Sequence, residues 1–189
     1  MIPSTVEYAL VAAPWGPIHL AAYGDAVVAL EVLTPTDAFV AGLERRFRRA
    51  VVAARAVRTS SLLDRAIDQV EAYLRGDRRA FDLPIRLDDR PAWDRSVLDG
   101  VRQLHWGSVS SYGGIARLIG RPGAARAVGG AVSRNPIGVV VPCHRVIAGD
   151  GTIGGYGGAW YGTREQLLDV KRTLLAIEGM TLPVRIAIP

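Results

Sequence analysis

An α/β first half joined to a mainly helical second half is the fold class that this 189-residue sequence predicts. Three observations predict it. Apolar runs rich in Val, Ile and Leu alternate with turn signals from Val6 to Leu33, then give way to two helical patterns. The stretch Asp82 to Arg90, with Pro84 and then Pro91, breaks that pattern and reads as a connection, so the expected domains are 1–88 and 89–189. Beyond it, two short helical patterns flank the turn Gly120-Arg121-Pro122-Gly123, which is the outline of a helix-turn-helix.

In the first half, Val6 to Ala12 and Ile18 to Tyr23 read as strands divided by Pro14-Trp15-Gly16-Pro17, and Gly24-Asp25 separates the second from a third strand, Val27 to Leu33. Thr36 or Asp37 can cap a helix to about Arg49, with Phe39, Leu43 and Phe47 on one face. Val51 to Val57 can form a further strand. A helix from Ser60 or Ser61 turns Leu63, Ile67, Val70 and Leu74 inward and stops at Gly76. No catalytic constellation stands out here: His19 sits alone in a strand, and Arg45-Arg46 and Arg48-Arg49 fit the wet side of an amphipathic helix.

The second half opens with a helix from about Pro91, a favourable first-turn residue, through Trp93, Val97, Val101 and Leu104. Ser110 or Ser111 can cap a short helix, Tyr112 to Ile119, and a second runs from Ala124 to Val132. This second helix carries one long side chain, Arg126, among Ala124, Ala125, Ala127, Gly129 and Gly130. Readers of the major groove need several polar side chains to match base edges. A small-residue helix suits close approach, and a lone arginine can fill the space of an extruded nucleotide; the small residues equally suit packing against the helix's own protein.

Composition narrows the classes. At 49% hydrophobic the chain can build a core, yet no apolar run approaches the ~20 residues of a membrane span, and nothing near Met1 resembles a secretory signal. A single cysteine excludes an internal disulfide and a thiolate metal cluster. The expectation is a soluble, cytoplasmic protein without metal or cofactor. Residues 1–90 carry 12 Arg and Lys against 12 Asp and Glu, and residues 91–189 carry 11 against 6, so the net charge of +5 lies in the second half. Gly100 to Gly149 holds Arg102, Arg117, Arg121, Arg126, Arg134 and Arg145 with no acid at all. That is the footprint of a polyanion partner or, with no partner, a solvated basic face.

The only cysteine falls in Val139-Val140-Val141-Pro142-Cys143-His144-Arg145-Val146-Ile147. A thiol is a good nucleophile only as thiolate, and its ordinary pKa of about 8.5 calls for a nearby base or cation. Adjacent side chains diverge in a strand or a helix, so His144 reaches Cys143 best through a water. Pro142 should end the apolar run sharply and present Cys143 at its mouth. The opposing reading is an inert, small core residue, the commoner fate of a free cysteine.

Ser111-Tyr112, Gly123-Ala124-Ala125-Arg126-Ala127-Val128-Gly129, Arg134-Asn135-Pro136 and Val141-Pro142-Cys143-His144-Arg145-Val146 together resemble the successive signatures of the O6-alkylguanine-DNA alkyltransferases. The likeness covers most of residues 80–179. It implies a ribonuclease-H-like α/β first domain and a second domain with a winged-helix-like helix-turn-helix and an active-site cysteine. It implies that Cys143 takes an alkyl group from O6-alkylguanine flipped out of duplex DNA through the minor groove, once per molecule. By the same resemblance His144 acts through a water, Glu178 orients His144, Tyr112 donates toward the guanine and helps turn its phosphate, and Arg126 replaces the flipped base. Asn135 braces the turn after the recognition helix, and Arg145 helps hold the domains together. Ala124, Ala125, Ala127, Gly129 and Gly130 face DNA; Val132, Val146, Tyr156, Gly157 and Gly158 line the base pocket. The partner implied is damaged double-stranded DNA met by a monomer; clustering along DNA and O4-alkylthymine as a second substrate stay open.

One stretch departs from the pattern. After Gly155-Tyr156-Gly157-Gly158 comes Ala159-Trp160-Tyr161-Gly162-Thr163-Arg164-Glu165-Gln166, several residues more than the resemblance implies, which leaves the pocket wall open and offers Glu165 beside Glu178 as partner of His144, with Glu178 favoured by its sequence context and Glu165 suited to the first turn of a helix. Rival classes weigh less. A cysteine hydrolase or thiol transferase requires an oxyanion hole and turnover, and a non-catalytic binder of alkylated DNA would not need Cys143.

Overall fold

The computed structural model describes residues 5–54, 62–158 and 160–181. The chain divides into two compact units, Met1–Leu87 and Asp88–Pro189.

The first unit is an α/β sheet. Strands β1 (Thr5–Val11), β2 (Ile18–Tyr23) and β3 (Ala26–Val32) form an antiparallel meander, and helix α1 (Thr36–Phe47) leads to β4 (Ala50–Ala53), which pairs parallel to β1. The strand order is β3-β2-β1-β4. Phe39 and Leu43 of α1 pack on Val6, Ala21, Val28 and Ala29, the hydrophobic seam that the four-residue spacing of the helix predicts. Helix α2 (Leu62–Leu74) packs along β1, β2 and β3.

The N-terminus of α1 differs from the sequence expectation. Its cap position is Pro35, with no side-chain cap bond. Thr36 already lies in the helix, and its hydroxyl meets Nε2 of buried His19 at 2.8 Å. The helix closes on Arg48, in the left-handed region at φ 52°, whose N–H returns to Glu44 O. The expected strand Val51 to Val57 is seen to Ala53; its residues 55–57 and the expected caps Ser60 and Ser61 lie outside the described residues. Part of the expected connection belongs to the sheet: Val27 N–H donates to Pro84 O at 2.9 Å, and Arg86 N–H donates to Val27 O at 2.9 Å.

The second unit is mainly helical. Helix α3 (Ala92–Arg102) follows Pro91, and β5 (Ser110–Ser111) leads into α4 (Tyr112–Leu118) and α5 (Ala125–Ser133). A single 3₁₀ turn, Cys143–Arg145, then runs into β6 (Val146–Ile147), and α6 (Arg164–Ile177) closes the unit. Ser111 caps α4 by accepting from Gly114 N–H at 2.9 Å, worth about 1 kcal/mol in such positions. Gly120 and Gly123 between the two short helices both adopt positive φ, at 71° and 88°, where a side chain would be strained. Helix α5 packs on α3 and α4 through Val128, Ala131 and Val132. Arg134, just beyond α5, grips buried Asp94 of α3 with two bonds, Nε to Oδ2 at 2.8 Å and Nη2 to Oδ1 at 2.6 Å. Of the expected tail Met180 to Pro189, residues 182–189 lie outside the described residues. Among the described residues no helix is long and apolar enough to cross a membrane.

Candidate active site

The apolar run ahead of the cysteine does not form the strand that its composition suggests. Val139 stands at φ 65°, a left-handed conformation that is costly for a β-branched residue. Asn135, 2% exposed, accounts for the bend. Its Nδ2 donates to Val141 O at 2.9 Å, and its Oδ1 accepts from Ile137 N–H at 3.0 Å, so the side chain satisfies backbone groups that a sheet ladder would otherwise need. The run is a braced loop, and Pro142 delivers it into the turn Cys143–Arg145.

Strand β6 begins directly after that turn and pairs parallel to β5, Ser110 with Val146 and Ser111 with Ile147. Tyr112 follows Ser111, so this short register brings Tyr112 to the cysteine. Both line a cavity of about 440 Å³, together with Val132 and Ser133 of α5, the glycine loop 155–158 and Trp160. A groove of about 560 Å³ along α4 and α5 takes in Arg117, Ala125 and Arg126. Tyr112 and Gly129 line both spaces. A Cβ on Gly129 would touch the Tyr112 ring at 3.7 Å, so the small residue lets the tyrosine lie against α5.

The electrostatics centre on two buried clusters. Glu178, 5% exposed, caps the end of α6 and accepts from His144 Nε2 at 2.8 Å, from Arg145 Nη2 at 2.8 Å and from Gly107 N–H at 3.1 Å. An acid bound by an arginine remains ionised, so Nε2 of His144 carries the proton and Nδ1 is the basic nitrogen. Burial lowers the His144 pKa, opposed by Glu178, so the imidazole rests neutral. Glu165 takes no part: it lies exposed in the first turn of α6 and pairs with Arg172 at 3.1 Å.

The second cluster surrounds the thiol. Cys143 is 4% exposed, and burial raises its pKa. The Asn135 amide, the Lys171 ammonium and the Tyr156 hydroxyl oppose that shift and favour the thiolate. Burial likewise raises the Tyr112 pKa, against a hydrogen bond with the Gly155 backbone, so its hydroxyl holds its proton at neutral pH.

Lys171 was not among the residues singled out from the sequence. It is fully buried, and its Nζ donates to Val146 O at 2.6 Å, Ile153 O at 2.6 Å and Gly155 O at 2.9 Å. Burial lowers its pKa to about 8. It is the one lysine of the chain, set among the inward leucines of α6, and that was the available signal. Ser133 also went unnoticed, because it stands in no recognisable spacing; Tyr156, expected in the pocket wall, adds a hydroxyl that favours the thiolate.

One expected placement changes. Val146 is fully buried in β6 with its carbonyl taken by Lys171, and it does not line the cavity. Arg145 donates to Glu178 and to Leu104 O. Of the six arginines in the acid-free stretch only Arg145 is buried, on Glu178; Arg134 and Arg102 pair with Asp94 and Asp99 but stay about half exposed, and Arg117, Arg121 and Arg126 are exposed.

Residues 6–87 match the family profile described as 6-O-methylguanine DNA methyltransferase, ribonuclease-like domain, and residues 92–180 match its DNA binding domain. A methylated-DNA–protein-cysteine methyltransferase of Mycobacterium tuberculosis is 33% identical over 189 residues, covering 94% of this chain and 95% of the relative. The chain belongs to the methylated-DNA–protein-cysteine methyltransferase family. Its homologue in Mycolicibacterium paratuberculosis is 44% identical over 124 residues, covering 65% of this chain and 69% of that protein. The crystal structure of Mycobacterium tuberculosis OGT in complex with DNA superposes with a TM-score of 0.71 at 33% identity, covering 92% of each chain. The enzyme is therefore a DNA-binding alkyltransferase of DNA repair, with a ribonuclease-like α/β domain ahead of a helical DNA-binding domain.

Proposed function

We propose that this methyltransferase repairs O6-alkylguanine in duplex DNA by moving the alkyl group irreversibly onto Cys143, one equivalent per molecule. The observation that carries the reading is the shared wall. Cys143 opens into a cavity whose Tyr112 and Gly129 also line the groove bearing Arg126, so a base leaving the duplex at that groove reaches the thiol directly.

In this mechanism α5 enters the minor groove, where its small residues allow close approach and Arg126 fills the place of the extruded nucleotide. His144, neutral and oriented by Glu178, takes the Cys143 proton through a water. The thiolate attacks the saturated alkyl carbon; the S–C bond forms, the C–O6 bond breaks, and its electron pair stays with the guanine. Tyr112 donates the proton that neutralises the departing base. The thioether has no route back to thiol within the site, which limits each molecule to one event. Burial keeps Cys143 protonated at rest and so guards the thiol until the base arrives. O4-alkylthymine presents the same kind of alkyl–oxygen bond and is the second substrate in this proposal. The protein acts as a cytoplasmic monomer, and clustering along DNA remains a separate question of its binding isotherm.

Intact-protein mass after incubation with duplex DNA carrying one O6-methylguanine tests the proposal. The expected result is a single added methyl, saturating at one equivalent and absent in Cys143→Ser. Damage-dependent binding with no adduct would make the protein a recognition module instead.

A further inference from the structure

The stretch after the glycine loop, longer than the resemblance implies, returns to the cysteine cavity. Trp160 N–H donates to Gly157 O at 2.7 Å, closing a tight turn that folds the indole back over the glycine loop. A Cβ on Gly157 would lie 2.7 Å from Trp160 Cε3 and 2.8 Å from Leu167 Cδ2. The indole and Leu167 therefore rest directly on the glycine, which also needs its positive φ of 57°. The Tyr156 ring meets the indole edge-on, with centroids 5.3 Å apart and planes at 89°, a favourable aromatic geometry. Trp160 is thus fixed from two sides, by backbone and by ring, while it lines the same cavity as Cys143.

On the proposed alkyl-transfer reading, we infer that Trp160 is a specificity-determining residue that gives the cavity an aromatic wall and favours the transfer of flat, aryl-bearing groups. The size of the space supports this direction. At about 440 Å³ the cavity falls within the roughly 300–1,000 Å³ of pockets that hold drug-sized ligands, so it has room for a purine bearing more than a methyl group with the indole in place. The ring is a contact surface rather than an obstruction. A methyl group offers it little area, whereas a benzyl group can pair with it.

The test compares pseudo-first-order transfer from duplex DNA containing O6-methylguanine and O6-benzylguanine, in wild type, Trp160→Ala and Trp160→Phe. Trp160→Ala is expected to lower the ratio of benzyl to methyl transfer rates about two- to tenfold, the factor that one aromatic pair supplies. Trp160→Phe should retain both rates. Equal losses on both substrates would reduce Trp160 to a loop-packing residue, and a faster benzyl reaction in Trp160→Ala would make it a size barrier; either overturns the inference. A wild type that forms no Cys143 adduct with either substrate sinks the alkyl-transfer reading itself, and a reactive wild type with an unchanged Trp160→Ala sinks this inference alone.

Discussion

The buried lysine offers the sharpest quantitative test. Lys171 shifts from the ordinary 10.5 to about 8, a depression of roughly 2.5 pKa units caused by burial. The folded protein releases this proton near pH 8, whereas the unfolded chain holds it to about pH 10.5. Between those values the unfolded state binds more protons, so stability rises with pH. At about 1.36 kcal/mol per unit, the gain between pH 7 and pH 10 approaches 2.5 kcal/mol. Urea unfolding of the protein and its Lys171→Met variant at pH 7, 8, 9 and 10, both in a Cys143→Ser background to remove the thiol titration, isolates the effect. The difference in unfolding free energy should move in favour of the lysine form by about 2 to 3 kcal/mol over that range. Parallel curves would show that Lys171 titrates in the fold as it does in water, and the argument from burial would fail. Activity should run the other way. An ammonium has three N–H donors for three carbonyls, and a neutral amine has two. With Cys143 intact, methyl transfer should therefore decline above pH 8 just as the fold grows more stable.

Other perturbations separate the remaining roles. Arg126→Ala should slow repair in duplex DNA by tenfold or more, since extruding a base costs a few kcal/mol, while leaving reaction with free O6-methylguanine nearly unchanged; equal losses in the two assays would refute the finger role. Glu178→Gln preserves shape but leaves the buried Arg145 guanidinium uncompensated, so thermal unfolding should reveal a loss of about 3–5 kcal/mol. Transfer by the same variant should fall by roughly 10²-fold or more, the scale of general-base assistance; an unaltered rate would remove His144 from the proton path.

What could be read from the sequence depended on how local the cause was. Helices α4 and α5 were legible because Ser111, Gly120 and Gly123 act within a few residues of themselves. The sheet of the first unit was legible because its strands are short apolar runs between turn signals. The loop before Cys143 was not, because three consecutive valines favour a strand, and what overrules them is the amide of Asn135, whose bonds to Ile137 and Val141 exist only once the loop has closed. The same holds at α1: a threonine ahead of a helical pattern is a cap by default, and the competing partner, His19, lies 17 residues away. The stretch around Trp160 reads as longer than the resemblance implies, but nothing local told whether it pointed outward or back onto Gly157.

Helix α6 explains why the two buried clusters form one site. Lys171 and Glu178 are seven residues apart, two helical turns, so they project from one face. The lysine gathers the carbonyls of Val146, Ile153 and Gly155, which fixes the glycine loop against β6; the glutamate gathers His144 and Arg145, which fixes the cysteine turn. One helix thus sets the distance between the pocket wall and the nucleophile, and supplies the cation that favours a thiolate and the anion that orients its base. The choice of residue follows from geometry. The chain has 22 arginines and one lysine, and the lysine stands where three acceptors converge on a single donor atom. A planar guanidinium spreads its donors over a fork and cannot satisfy that convergence, so Lys171→Arg should retain the charge yet displace the loop, slowing transfer while the rate at which iodoacetamide labels the thiol stays close to that of the unaltered protein.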